Sequence, residues 1–496
     1  MNFFFDIDWI AFLPECYLIF VVNFLLMYGV IYSSSFRHNF PILIKNLSWL
    51  AVESFLFVLL LLLNNVFQNA IIFNNFLVID FFSTCIKSFV ILSNLILLLI
   101  VLVYNQTEKI NNFEFVILNV FACIGILCLI SAYDLISIFL ALELQSFCFY
   151  ILCCFKRQSE FSVEAGLKYF ILGAFSSGFF LFGCSFIYGF SGTTNLEKLF
   201  IFFNTFSYDF FVFDIACFIG IIFVLVGLMF KLAIAPFHVW SPDVFEGSPL
   251  SVTAFFAFVP KIAVLSVIIR IILSICYVFF VPCQEFLLIC SLTSIFVGVL
   301  GALFQKKIKR FLAYSSISHF GFIFLGICSG SFEGIFASLF YIVIYTFTMI
   351  IVFSILLTIR VKKTGQKLKY LSDLSSIFYL NNFVGLSFLV VFFSMSGIPP
   401  FAGFFSKFFI FFSTINNDLI IVSIFAILIS GVGCFYYIRL IKIMFFEVNN
   451  LNYVFYDLKK ENSLVISFFT IFLTLFLVSP NFIIVIVYNS FIDFFL

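Results

Sequence analysis

Charge is scarce in this sequence. Only 10% of its 496 residues are Asp, Glu, Lys or Arg, against about 25% in an ordinary soluble domain. The net charge of +1 leaves no basic surface for nucleic acid. With 64% hydrophobic residues and a mean hydropathy of +1.25, a soluble fold is excluded. No glycine-rich phosphate loop follows a strand pattern, so no nucleotide site is visible. The fourteen cysteines form no CxxC pair and sit inside apolar runs. There they read as small hydrophobes rather than iron–sulfur or zinc ligands. No Arg- and Ser-rich amphipathic leader precedes the first apolar run.

What is abundant is apolar length. At about 20 residues per crossing, the runs place fourteen spans near 10–34, 42–66, 80–104, 113–130, 132–155, 163–190, 213–236, 251–275, 285–304, 310–329, 332–359, 383–412, 419–446 and 463–488. The fold class is an all-α polytopic membrane protein. Its longest polar connections, 191–212 and 360–382, are modest. Phenylalanine, at 85 residues, exceeds what lipid contact demands and reads as the coding bias of an AT-rich, organelle genome.

The few basic residues orient the stack. Connections after odd-numbered spans carry Arg37, Lys45, Lys109, Lys156, Arg157, Lys306, Lys307, Lys309, Arg310, Arg360, Lys362, Lys363, Lys367, Lys369, Lys459 and Lys460. Those after even-numbered spans carry clearly only Lys198, with Lys87 and Arg270 near helix ends. Positive residues mark the cytoplasm-equivalent face, so both termini are expected on the opposite face.

Chemistry is sought where charge is costly. A charged residue at the centre of a membrane helix costs about 2.5–3.5 kcal/mol on insertion scales, so it faces protein or water and marks an ion path. The stretch GLMFKLAIAPFHVWSPDVFEGSPLSVTAFFAFVPKIAVL, residues 227–265, holds two such lysines, Lys231 and Lys261. Between them Pro236 removes a backbone donor. Broken helices at membrane depth are tolerated where they line protein or a watery cavity. Lys407 follows a second break at Pro399 and Pro400, and Glu143 lies well inside the fifth span. A Glu–Lys contact that is made and broken switches a proton site between holding and releasing.

Two readings stand for several other residues. Lys168 opens the sixth span, as a relay member or as a helix-end lysine reaching the interface. His319 is a relay group, since histidine titrates near neutral pH, or a packing histidine. His238 reads as a hydrogen-bonder that locks the turn after Pro236, and Asp243 and Glu246 as residues that fix that turn. Arg439 and Lys442 guide exit or anchor their helix. A short internal repeat, Phe139-Leu140-Ala141 with Ser146 against Phe311-Leu312-Ala313 with Ser318, hints at the inverted repeats used by transporters.

The segments FKLAIAPFHVWSPDVFEGSP, IKRFLAYSSISHFGF, SGIPPFAGFFSKF and EAGLKYFILGAFSSGFFLFGCSFIYGFSGTTNL closely resemble motifs of NADH dehydrogenase subunit 2, an antiporter-like membrane subunit of respiratory complex I. The resemblance is strong from about 120 to 415. Ser and Val around PDVFEGSP fit subunit 2 better than subunits 4 and 5, and Lys407 fits subunits 2 and 5. It implies a three-helix segment (1–112), two inverted five-helix repeats (113–275 and 276–446), a last helix (447–496), and discontinuous seventh and twelfth helices. It implies proton translocation along Glu143, Lys231, Lys261 and Lys407, with Lys168 at the base of the sixth helix. It implies no redox cofactor or metal in this chain: flavin, iron–sulfur clusters and ubiquinone belong to partner subunits. Expected partners are the other membrane-arm subunits, including antiporter-like ones, and lipid. The expected location is the mitochondrial inner membrane, termini towards the intermembrane space. A monovalent cation/proton antiporter subunit shares these features and is the second expectation. A mere structural spacer would have no reason to bear the cost of the buried charges.

Overall fold

The computed structural model describes residues 8–33, 44–65, 69–108, 110, 113–205, 211–276, 279–360, 368–375, 377–447 and 460–492. In hydrocarbon only a helix or a closed barrel satisfies every backbone N–H and C=O, and the apolar runs are helical. They are α1 (Leu13–Ser33), α2 (Ile44–Leu63), α3 (Phe81–Thr107), α4 (Glu114–Ser131), α5 (Leu135–Cys153), α6 (Glu160–Ser191), α7 (Leu196–Thr205), α8 (Phe211–Leu232), α9 (Trp240–Gly247), α10 (Leu250–Ser274), α11 (Phe280–Phe304), α12 (Ile308–Cys328), α13 (Phe332–Thr358), α14 (Asn382–Ser396), α15 (Ala402–Asn416), α16 (Ile420–Phe446), α17 (Lys460–Leu475) and α18 (Asn481–Ile492). Intramembrane serines return their hydroxyls to their own helix, as Ser266 Oγ does to Ala263 O and Ser315 Oγ to Leu312 O. They therefore need no partner elsewhere.

Among the described residues, twelve helices are long and apolar enough to cross a membrane. The expected twelfth and fourteenth spans are instead pairs of shorter helices. In the first pair, α14 stops at Gly397, which takes φ +83°, a conformation glycine adopts freely. The following Pro399 and Pro400 supply no N–H. In the second, which the sequence reading left continuous, Pro480 stands between α17 and α18 for the same reason. The seventh span ends four residues early, at Leu232, where Ala233 turns at φ +62°. What reads as a polar turn after Pro236 contains the two-turn helix α9. Likewise the connection read as polar at 191–212 holds α7, and residues 70–79 form an antiparallel hairpin of β1 (Ala70–Ile72) and β2 (Leu77–Ile79).

The two halves of the chain repeat one set of neighbours. In the first, α4 packs on α5, α5 on α6, α6 on α8 and α10 on α4. In the second, α11 packs on α12, α12 on α13, α13 on α15 and α16 on α11. Close approach of α6 and α8 needs Gly183, whose Cβ position lies 2.6 Å from Gly220 O. The innermost helices are α10, α12 and α13, buried along almost their whole length.

Contacts at the helix ends sort the connections onto two faces. On one, Phe73 N in the hairpin donates to Asp8 Oδ2 (3.3 Å), Thr194 Oγ1 donates to Asp134 Oδ2 (2.9 Å), and Arg270 Nη2 pairs with Asp80 (2.9 Å). Tyr488, near the chain's end, packs on Phe332 at the start of α13. On the other face Lys156 and Arg360 pair with Glu108 (3.6 and 3.0 Å), Lys307 pairs with Glu246, and Ile308 N donates to Lys369 O (3.0 Å). The described basic residues of the odd-numbered connections from Lys156 to Lys369 gather on this second face, opposite both described chain ends. Arg37, Lys109, Lys362, Lys363, Lys367 and Lys459 lie outside the described residues. Lys87 and Arg270 lie near helix ends, as expected, but inside the protein. Each is 2% exposed and ion-paired, Lys87 to the buried Glu15 at 2.5 Å.

Candidate functional site

The structure arranges five of the expected residues through the interior. Glu143 lies on α5, where Ser146 and Tyr150 follow on the same face at i+3 and i+7. Its Oε2 takes a long hydrogen bond from Ser146 Oγ (3.5 Å), while Oε1 and the Tyr150 hydroxyl are buried without a partner. Lys231 ends α8 within electrostatic reach of Glu143. Its Nζ is also buried without a hydrogen-bond partner. The acid and the amine are thus coupled by charge but not bonded to each other.

Lys231 stands free because the break after it is stitched by other groups. The last carbonyls of a helix lack intrahelical donors and attract a nearby cation. Here Met229 O accepts from Ile234 N (3.1 Å), and Phe230 O accepts from Ala233 N (3.1 Å) and from Trp240 Nε1 (2.9 Å). From α11, Thr293 Oγ1 donates to Ala235 O (3.2 Å). Trp240 thus shares the locking of the turn with His238, whose side chain interacts with the Pro236 backbone while its Nδ1 is buried without a partner. Asp243 and Glu246 do fix the turn. Asp243 pairs with Arg310 (2.8 Å) and Lys168 (3.2 Å), and Glu246 with Lys307 and Arg310.

Lys261 lies in the middle of α10, which packs against α8, and is 2% exposed. Its Nζ donates to Ser316 Oγ (3.2 Å) and sits 4.6 Å from the centre of the Phe320 ring and 5.9 Å from that of Phe245. Cation–π attraction of this kind is worth about 2 kcal/mol when desolvated. One turn along α12 from Ser316, His319 is within electrostatic reach of both Lys261 and Lys407. The Tyr341 hydroxyl is 2.8 Å from its Nδ1 and the Tyr437 hydroxyl 3.0 Å from its Nε2.

Lys407 sits in α15, beyond the second break. There the carbonyls that end α14 are open, and Lys407 Nζ donates to Met395 O (3.2 Å) and Ser396 O (2.7 Å), over the Phe322 ring at 5.3 Å. The two breaks differ in this respect. At the first the helix-end carbonyls are taken and the lysine is bare; at the second the lysine itself satisfies them.

Lys168 lies apart from this row. Its side chain is 44% exposed, paired with Glu164 (2.7 Å) and Asp243 (3.2 Å) at the basic face. Arg439 and Lys442 point outward from α16, Lys442 standing 4.0 Å from Glu447. Several participants escape a sequence reading. Ser316, Tyr341, Tyr437 and the Met395 and Ser396 carbonyls carry no signal of their own. The Glu15–Lys87 pair does carry one, charge within apolar runs, the same signal that marks Lys231.

Residues 132–433 match the family described as NADH:quinone oxidoreductase/Mrp antiporter, TM. Over 481 residues the chain is 40% identical to NADH-ubiquinone oxidoreductase chain 2 of Marchantia polymorpha, covering 96% of this chain and 97% of that protein. It is 37% identical over 475 residues to NADH-quinone oxidoreductase subunit N of Pelagibacter ubique, covering 95% and 96%. A chain of respiratory complex I from Thermus thermophilus superposes with a TM-score of 0.79 at 26% identity, covering 95% and 98%. Fold, buried charges and near-full-length similarity agree: this chain belongs to the NADH:quinone oxidoreductase/Mrp antiporter membrane family, among the relatives named chain 2 or subunit N.

Proposed function

We propose that this chain is a proton-translocating membrane subunit of an NADH:quinone oxidoreductase, working beside the other membrane-arm subunits, and that protons pass along Glu143, Lys231, Lys261, His319 and Lys407. The observation that carries the reading is the series of ionisable side chains set through the interior of helices whose buried residues are mostly apolar. Each costs free energy in hydrocarbon; Glu143 and Lys261 meet serine hydroxyls, His319 meets two tyrosine hydroxyls, Lys407 meets two backbone carbonyls, and Lys231 Nζ has no hydrogen-bond partner. Lys231 hands a proton on when Glu143 leaves it and holds one when Glu143 approaches. Lys261 and Lys407 stand on either side of His319, which Tyr341 and Tyr437 keep oriented. Moving one charge against 100 mV costs about 2.3 kcal/mol, so the energy comes from outside this chain. Quinone reduction in partner subunits, which hold the flavin, clusters and ubiquinone, supplies it. Lys168 takes a peripheral part, linking α6 to α9 at the mouth of the path.

The equivalent neighbours of α4–α10 and α11–α16, with a broken helix in each set, support two inverted repeats. In this reading the basic face lies on the matrix side of the mitochondrial inner membrane and both termini towards the intermembrane space.

A native gel of gently solubilised membranes, stained for NADH oxidation and probed for this chain by peptide mass spectrometry, tests the assignment. Co-migration with a very large NADH-oxidising band is expected. Migration in a smaller band without that activity would move the reading to a cation/proton antiporter.

A further inference from the structure

A second polar feature lies outside the proton path. On the basic face a cavity of about 370 Å³ is lined by Lys156, Lys307, Lys309 and Lys369, with Glu246 as its one carboxylate. The lysines come from the connections after α5, α11 and α13 and, for Lys309, from the first turn of α12, and only the fold brings them together. Glu246 is already neutralised by Lys307 and Arg310. Lys309 donates to the carbonyls of Glu246 and Ser248, which pins its stem at the cavity wall. Lys156 is half exposed and Lys369 exposed; Lys156 stands 3.6 Å from Glu108, a carboxylate that also pairs with Arg360 at 3.0 Å, so the cations still outnumber the carboxylates around the cavity. An excess of positive charge around a concave space selects an anion.

The surroundings say which anion. Phe161, 72% exposed, lines the same cavity and belongs to α6, which presents Leu167, Phe170 and Ile171 outward. Those side chains form the apolar exterior expected against lipid. The cavity mouth therefore sits where the basic face meets the lipid-facing wall, and its floor includes Leu250 and Leu368. A ligand with a phosphate head and hydrocarbon tails fits both surfaces at once, whereas a free ion would use only the lysines. Basic pockets between membrane helices on this face are suited to anionic headgroups. We propose that this cavity binds the headgroup of an anionic phospholipid. The phosphate sits between Lys156 and Lys369 and the chains run down α6 past Phe161. The site adjoins Ser248 and Pro249, at the start of α10, so the lipid braces the helix that carries Lys261.

The test uses the assembled complex, stripped of lipid in detergent and titrated with phosphatidylglycerol or phosphatidylcholine, bound lipid being counted by mass spectrometry. Each lysine near an anionic surface is worth about 1 kcal/mol, or about fivefold in affinity. The K156Q/K369Q variant is therefore expected to lose one phosphatidylglycerol site, weakened roughly 25-fold, while K156R/K369R keeps it. K369Q alone, a change at an exposed side chain, is expected to weaken the site about fivefold and serves if the double variant does not assemble. Unchanged phosphatidylglycerol binding in these variants would overturn the proposal. So would equal retention of phosphatidylcholine at the site, or binding of inorganic phosphate with no binding of the lipid.

Discussion

Lys261→Met and Lys407→Met remove charges of similar burial, yet the structure predicts different stability costs. Lys261 makes one hydrogen bond, to a serine hydroxyl that already donates to Ala313 O. Its removal forfeits a charged hydrogen bond of about 1.5–3 kcal/mol and a cation–π contact of about 2 kcal/mol. It also removes an insertion cost of about 2.5–3.5 kcal/mol, and no acceptor is orphaned. The net change is expected to be a destabilisation of about 0–2.5 kcal/mol. Lys407 is bound to two carbonyls. Ser396 O keeps a second donor, Cys434 Sγ at 3.3 Å, whereas Met395 O loses its one side-chain donor among the described residues. A stranded buried acceptor costs about 1–3 kcal/mol, so Lys407→Met is expected to be the less stable by about that amount. Thermal inactivation of the assembled complex, read as loss of native-gel integrity against temperature, ranks the two. Equal destabilisation, or the reverse order, would refute the claim that Lys407 closes the broken helix.

Other expectations follow from the same geometry. Lys261→Arg keeps the charge but cannot release its proton, so the complex should assemble while NADH-driven proton uptake into vesicles falls as far as in Lys261→Met. Gly403→Ala drives a Cβ into Ser394 O, and overpacking of this kind is expected to cost about 1–3 kcal/mol, seen as a lower inactivation temperature. Trp240→Phe removes one of the two donors to Phe230 O, leaving Ala233 N, at a cost of about 1 kcal/mol, and opens a lone pair of that carbonyl to Lys231. Hydrogen exchange across 230–240 should rise and proton uptake should slow. Glu15→Gln alone, by breaking a buried pair, is expected to destabilise by about 3–5 kcal/mol, and Glu15→Met combined with Lys87→Met should recover most of that in the same thermal assay.

Much of this architecture is legible in the residues themselves. Apolar length sets the helices, and the basic connections sort onto one face, because both follow from the cost of placing polar groups in hydrocarbon. Lys231, Lys261 and Lys407 announce themselves by the same cost. What escapes is what depends on distant partners. Tyr437, 118 residues from His319, has no local signal that it faces that imidazole. Lys87 reads as a helix-end residue because its partner, Glu15, is 72 residues away. His238 reads as a lock for its turn and does meet the Pro236 backbone, but the second lock, the indole N–H of Trp240 on the Phe230 carbonyl, depends on how α9 folds back. Lys168 opens its span in the sequence, and of its two readings the helix-end one fits its 44% exposure.

The most direct test of the proton path is Lys231→Met in the assembled complex, reconstituted into vesicles and driven with NADH while internal pH is followed. Lys231 is the bare amine coupled to Glu143. Without it, the transfer must cross a gap with no site to hold the charge. Losing the stabilisation that offsets about 2.5–3.5 kcal/mol of charge cost slows passage roughly a hundredfold. The account predicts that proton movement through this subunit is lost while the complex remains intact on a native gel. Undiminished proton uptake by an intact Lys231→Met complex would contradict it.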